Sequence, residues 1–288
     1  MKTMIATELQ EKKLHGSILF PFNIYPCTIP KDFKDVPIHW HQNAEIIFIK
    51  KGKGWAQIGE TWEIVEEGAI CLVPPGNLHA LKELTGHSME YENIIFDMEI
   101  LGENAADICA QEYIVPFAAG KLVKPLILRT KDKGYDAIKK ILNETEQLCK
   151  LKIRGYELSV KARMLELLFV IIQEYPEKPK KDSVNTERLK QVLQKLETEY
   201  MNPLTIEEMA DSIGCSASHF MRWFKMMTGT SFGSFLIDRR LSVAARKLKE
   251  TDEKILSIAE NVGFENLSNF NRQFKNRYGI TPRQYRAN

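Results

Sequence analysis

The chain has 288 residues, 44% hydrophobic and 27% charged, enough apolar matter for two domains with their own cores and too much for a disordered chain. Its net charge of +2 hides an asymmetry: from Ser183 onward about 16 lysines and arginines stand against about 12 acidic residues, so the C-terminal part is mildly basic. Five scattered cysteines with no CxxC pair exclude a disulfide framework, and no apolar run is long enough to cross a bilayer, so a cytoplasmic chain is expected.

In chain order, residues 1 to about 20 read as an arm, with Leu14, Ile18, Leu19 and Phe20 as candidate anchors. From about residue 21 to 125, short apolar runs broken by proline and glycine predict a small antiparallel barrel or sandwich, with strands at 38–49, 54–58, 62–65, 69–73 and 91–96. Within it His39, His41 and Glu45 are expected on one face of a single strand, because side chains alternate with period two. His79 follows a turn at Pro74, Pro75 and Gly76.

Three imidazoles and a carboxylate can bind iron, manganese, nickel or zinc, or serve structure. Trp40, Trp55 and Trp62 can stack on a ligand ring or fill a core. The spacings HxHxxxE…G and G…PxGxxH resemble the two cupin motifs. That resemblance implies a barrel that, in many regulators, holds a small effector such as a sugar, with His39, His41, Glu45, Trp55 and His79 as the binding set here. The alternative is a metal-dependent cupin enzyme or metal sensor, with His39, His41, Glu45 and His79 as ligands. No further acid–base pair demands catalysis, so no catalytic residue, enzyme activity or cofactor other than that divalent metal is expected.

Beyond about residue 125 the period becomes helical. Ile138, Ile141, Leu142, Leu148 and Leu151 form one stripe, and Leu158, Leu165, Leu168, Phe169 and Ile172 another. Two such helices, at about 134–175, can cover the barrel and offer a groove to a second copy. Residues 176–185 read as a linker, with Pro176 and Pro179 blocking a continuous helix. A helix from about Thr186, with Leu189, Val192, Leu193, Leu196 and Tyr200 on one face, opens a second domain at 186–288. The first domain is then 1–175.

In that second domain one pattern occurs twice, about fifty residues apart. Ile206, Met209, Ala210, Ile213 and Gly214 are followed by Phe220, Phe224 and Lys225; Ile255, Ile258, Ala259, Val262 and Gly263 are followed by Phe270, Phe274 and Lys275. Each copy predicts a short amphipathic helix, a glycine turn and a second helix with its phenylalanines inward, N-capped at Ser216 or Ser218 and at Asn266 or Ser268. Thr205 and Glu208 form a capping box at the first start. Ser218, His219, Arg222 and Lys225 then face outward in one copy, and Asn269, Arg272, Lys275 and Asn276 in the other. Two helices joined by a tight turn, the second with such a face, form a helix-turn-helix, and its arginines and asparagines suit guanine and adenine edges. An unbroken run from Ser231 to Lys249 predicts a rod between the copies.

The stretch from Leu204 to Lys225, and that from Ile258 through Phe270-Asn-Arg-Gln-Phe-Lys-Asn-Arg-Tyr-Gly-Ile-Thr-Pro-Arg-Gln-Tyr-Arg, closely resemble the AraC/XylS family of transcription regulators. The resemblance implies an α+β two-domain chain: a cupin-like β-barrel with a helical pair, then an all-α double helix-turn-helix domain. It implies that Ser218, His219 and Arg222, with Ser268, Asn269 and Arg272, face base edges or phosphates of double-stranded promoter DNA. A homodimer joined through the helical pair, contact with RNA polymerase and an activating role follow from the same resemblance.

Overall fold

The structure, a computed structural model, describes residues 15–17, 19–103, 107–120, 122–176, 184–228 and 230–287. The chain divides into two compact units, one ending at Lys181 and the other running from Asp182. Leu14, Ile18 and most of the expected linker lie outside the described residues. Leu19 is exposed, and Phe20 packs partly against the first core.

The first unit is built on an eight-stranded antiparallel sheet: β1 (Phe22–Ile29), β2 (Asp35–His39), β3 (Ala44–Ile58), β4 (Thr61–Glu66), β5 (Ile70–Val73), β6 (His79–Lys82), β7 (Met89–Phe96) and β8 (Leu126–Leu128). A 3-10 turn at Met98–Leu101, a π-helical turn at Ala110–Ile114 and the short α1 (Val115–Ala118) precede β8. β3 organises the sheet. Its first half pairs with β5 and β7, and its second half with β4 and β6. A bulge between Ile49 and Lys51 reverses the alternation, so Ile47 and Ile49 before it and Ala56 and Ile58 after it all enter one inner core with Ile29, Val65 and Leu81.

Two sequence expectations change here. The runs at 38–49 and 54–58 do not form separate strands; the chain bends at 40–43 and then continues as one strand of 15 residues. Strands β1, β6 and β8 were not resolved from the pattern, the last two having only 4 and 3 residues.

The opposite face of the sheet carries Ile46, Phe48, Ile70, Leu72, Ile94 and Phe96, which pack beneath α2 (Tyr135–Leu151) and α3 (Tyr156–Glu174). Helix α2 buries Ile138, Ile141 and Leu142 as its period predicts, while Leu151 is exposed. Helix α3 differs from expectation: it buries Val160, Met164, Leu167, Leu168 and Ile171, leaving Leu158, Leu165 and Phe169 exposed. It is apolar on two faces, and the expected stripe mixes both.

The second unit comprises α4 (Val184–Glu199), α5 (Ile206–Ser212), α6 (Ala217–Thr228), α7 (Phe232–Glu250), α8 (Ile255–Asn261), α9 (Leu267–Tyr278) and α10 (Pro282–Ala287). Helix α4 starts two residues before the expected Thr186. Its Leu189, Val192, Leu193 and Leu196 are fully buried. Among the described residues, no helix is long and apolar enough to cross a membrane.

Candidate functional site

Local chemistry sets the two turn-joined helix pairs of the second unit. The Thr205 hydroxyl accepts from the Glu208 amide at 3.2 Å, and the Glu208 carboxylate accepts from the Thr205 amide at 3.0 Å, satisfying two donors that a helix start would otherwise expose. After α5 and α8 the chain turns through Gly214 and Gly263, at φ +67° and +92°. Asn266 then caps α9 by accepting from the Asn269 amide at 2.8 Å, and Ser216 accepts from the His219 amide at 3.3 Å ahead of α6.

Phe220, Phe224, Phe270 and Phe274 are completely buried, and this fixes how α6 and α9 are rotated. Phe220 and Phe224 meet Phe232 of α7 at ring distances of 5.5 and 5.4 Å; Phe270 and Phe274 join Leu241, Ala244 and Leu248 from the other end of α7. With 19 residues, α7 is about 28 Å long and contributes to the core of both pairs.

Opposite the phenylalanines, Ser218, His219, Arg222 and Lys225 are exposed on α6; on α9, Ser268, Arg272, Lys275 and Asn276 are exposed and Asn269 is half-buried. Arg272 donates to the Asn269 side-chain oxygen at 3.1 Å, joining two of these side chains in one hydrogen-bonded group. The same faces contain residues that sequence reading passed over: Met221 and Met226, 46% and 60% exposed, and Asn271. Their signal was present, since an offset of about fifty aligns Met221 with Asn271 and Met226 with Asn276. Methionine beside such phenylalanines reads as core until the helix rotation is known.

In the first unit, His39, His41, Glu45 and His79 do come together, although not on one strand face. His39 ends β2, His41 lies in the bend, Glu45 opens β3 and His79 opens β6. All four are buried, and their potential ligand atoms lie within 4.8 Å of one another, so among the described residues they make a set able to hold a metal. His41 Nε2 and His79 Nε2 lie 2.6 and 3.1 Å from the same Glu45 Oε2. Burial, together with the adjacent His79 and His41 imidazoles, holds His39 well below the ordinary histidine value. Burial alone would raise Glu45, but the neighbouring His79 and His41 outweigh it and keep the carboxyl well below the usual carboxylate range.

Trp55 is not part of this group. Ala56 and Ile58 point inward, so Trp55 lies on the other face of β3, half-buried opposite Ile64 and Lys82. Trp40 is buried, and Trp62 carries the Lys82 ammonium 4.7 Å from its ring centre. The cavity beside the histidines is about 20 Å³, room for about one water and far too little for a sugar ring.

A much larger cleft, about 650 Å³, opens on the same unit between β1 and the α2–α3 pair, with Phe20, Asn23, Glu92, Glu146 and Tyr156 among its walls. Lys50 Nζ sits 3.0 Å from both Glu92 and Glu146. Burial raises Glu92, whereas hydrogen bonds from Lys150, Glu92 and Lys50 overcome burial at Glu146 and push it down to about 2. The two carboxyls are thus shifted in opposite directions around the shared Lys50 ammonium.

A family model described as a helix-turn-helix domain matches residues 209–288, and one described as an AraC-like ligand binding domain matches residues 31–168. The chain is 25% identical over 295 residues to the uncharacterized HTH-type transcriptional regulator YdeC of Bacillus subtilis (strain 168), covering 98% of this chain and 97% of that one. It is 38% identical over 95 residues to the multiple antibiotic resistance protein MarA of Escherichia coli (strain K12), covering 33% of this chain and 75% of MarA. Among solved structures, the C-terminal domain of the two-component response regulator yesN from Fusobacterium nucleatum is 31% identical, with 35% of this chain and 98% of that one covered and a TM-score of 0.34.

Proposed function

This chain belongs to the AraC family of DNA-binding transcription regulators that carry a ligand-binding domain, and from that premise we propose that it works as a dimeric activator whose promoter binding is tuned by a small polyhydroxylated effector. The observation that carries the reading is the pair of exposed polar faces on α6 and α9, in one register and built onto opposite ends of α7. Arg222 and Arg272 are placed to take guanine edges or phosphates; Ser218, His219, Asn269, Ser268 and Asn276 supply shorter hydrogen-bonding groups, and Lys225 and Lys275 add phosphate contacts.

For the effector we assign the 650 Å³ cleft rather than the interior beside His39, His41, Glu45 and His79. Its volume lies in the range of small-molecule sites, about 300–1,000 Å³. Phe20 and Tyr156, 5.9 Å apart edge to face, supply apolar ring contacts. Glu92, Glu146 and Asn23 supply donors and acceptors for hydroxyl groups. The exposed Leu158, Leu165 and Phe169 of α3 support dimerisation. Activation through RNA polymerase and a cytoplasmic location rest on family membership.

The test is titration of the whole chain onto DNA from upstream of its own coding sequence, followed by run-off transcription with RNA polymerase. Sequence-dependent binding and more transcript are expected; equal binding to random DNA would overturn the reading. A thermal-shift screen with mono- and disaccharides tests the effector, and a hit should disappear in Tyr156→Ala.

A further inference from the structure

The two reading helices differ in what holds them. Both turn their phenylalanines into a core, but the residue that follows the arginine is Trp223 in α6 and Gln273 in α9. Trp223 is 5% exposed, and its indole Nε1 donates to the Asn185 side-chain oxygen at 3.2 Å, in the first turn of α4. An indole N–H can only donate, so the Asn185 atom facing it is the oxygen. A buried indole N–H without an acceptor is costly, and this gives the bond weight in how α6 sits.

The inward face of α6 is set by Phe220, Phe224 and Met227, each at most 1% exposed. Phe224 meets Phe232 and Phe235 of α7 at ring distances of 5.4 and 5.5 Å. A stripe seated on one helix decides which face is buried but leaves small rolls and tilts open. Trp223 stands about 60° round the helix from Phe220, so it anchors the flank of α6 on a second helix. Side-chain ends lie about 5–6 Å from a helix axis, so a roll of about 10° moves them by about 1 Å, enough to break hydrogen bonds to a base edge. Arg222, the residue next to Trp223, feels any such roll directly.

Helix α4 is held differently at its two ends. Near its C-terminus Glu197 pairs with Arg239, and Arg240 donates to the Tyr200 and Asn202 carbonyls. The first turn is more open, with Val184 65% exposed and Glu187 also exposed. It is the first described element of the second unit, so the chain from the ligand-binding unit joins it beside Asn185. Helix α9 instead packs against Leu241, Ala244 and Leu248 of α7, an element inside the same unit.

We propose that Asn185 and Trp223 are positioning residues for promoter recognition: their hydrogen bond fixes the roll of α6 on the duplex and puts the contact made by α6, but not that made by α9, under the control of the start of α4. Neither side chain reads a base. The pair acts through Arg222 and Ser218, so its role rests on the reading of α6 as a groove-entering helix.

The experiment uses the whole chain, titrated by fluorescence anisotropy onto DNA from upstream of its own coding sequence and onto a random duplex of equal length. Asn185→Ala and Trp223→Phe should each weaken specific binding about 10-fold and leave binding to random DNA unchanged. Asn185→Asp keeps an acceptor for the indole and should bind like the unaltered chain. In an Arg222→Ala background Asn185→Ala should cost nothing further, whereas in an Arg272→Ala background it should cost its full factor. A merely structural bond would lower both backgrounds alike. Circular dichroism and thermal melting of each variant separate a displaced helix from a lost fold. A folded Asn185→Ala protein with unchanged specific affinity overturns the proposal, as does an equal loss in both arginine backgrounds. Arg222→Ala with undiminished specific binding would instead overturn the groove reading of α6, and the positioning role with it.

Discussion

Arg222 and Arg272 hold equivalent places in two copies of one motif, both exposed and both two residues from a buried phenylalanine on either side, hence on the opposite helix face. If each reads a base edge, replacing it by alanine should weaken binding to the specific site by about 1–3 kcal/mol while leaving binding to random DNA less affected. Fluorescence anisotropy on both DNAs decides this, and an equal loss on both would make the arginines phosphate contacts only. Arg272 also donates to Asn269, so Asn269→Ala should reproduce part of the Arg272 loss. These outward residues were legible in the sequence because the phenylalanines at i and i+4 leave only one possible rotation for each helix. Met221 and Met226 were not, since apolar side chains beside a core pattern carry no mark of exposure. The cluster of His39, His41, Glu45 and His79 was legible as a set, but not how it assembles: a period of two cannot foresee the bend at 40–43 that places His39 and Glu45 on different strands.

The caps and turns give the helical elements their boundaries, and each can be broken separately. At Gly263 an added Cβ would stand 2.7 Å from the Met201 carbonyl oxygen and 2.9 Å from the Arg240 guanidinium, on a backbone at φ +92°. That guanidinium in turn donates to the Tyr200 and Asn202 carbonyls at 2.7 and 2.8 Å, clamping the end of α4 to α7. At Gly214, φ is +67° and nothing lies within 4 Å. Gly214→Ala should therefore cost only the left-handed backbone term, about 1–2 kcal/mol, and Gly263→Ala distinctly more. Denaturant midpoints of the two variants measure the difference, and equal losses would contradict the close approach at Gly263. Phe224→Ala, removing a ring wholly enclosed by Phe220, Phe232 and Phe235, should cost about 3–5 kcal/mol. A Phe224→Ala protein of native stability would mean that the helix face is misassigned. Helices were easier to read than strands for a physical reason. A helix carries its caps and its period within one segment, whereas β3 is defined by four different partners and by a bulge that reverses its alternation midway.

At the scale of the molecule, the two-part division and the change of period between barrel and helices were visible in composition and spacing alone. The two-sided apolar character of α3 was not, because a stripe read from sequence does not say which neighbour covers it. Leu158 and Phe169, 74% and 63% exposed, belong to the surface left for a second copy in the dimer reading. Changing both to aspartate should yield a monomer with an intact sheet. Sedimentation measures the mass, and an unchanged dimer would place the contact elsewhere.

The double helix-turn-helix has one consequence that a single reading helix does not share. A rod of about 28 Å between two helix pairs suits successive major-groove openings, about 34 Å apart on one side of the duplex. Hydroxyl-radical footprinting of the whole chain on its promoter should show, for each bound chain, two protected patches about one helical turn apart on one face. Arg272→Ala should reduce the patch read by α9 and spare the one read by α6, and Arg222→Ala should do the reverse. One patch per chain, or a footprint that neither substitution alters, would contradict the account.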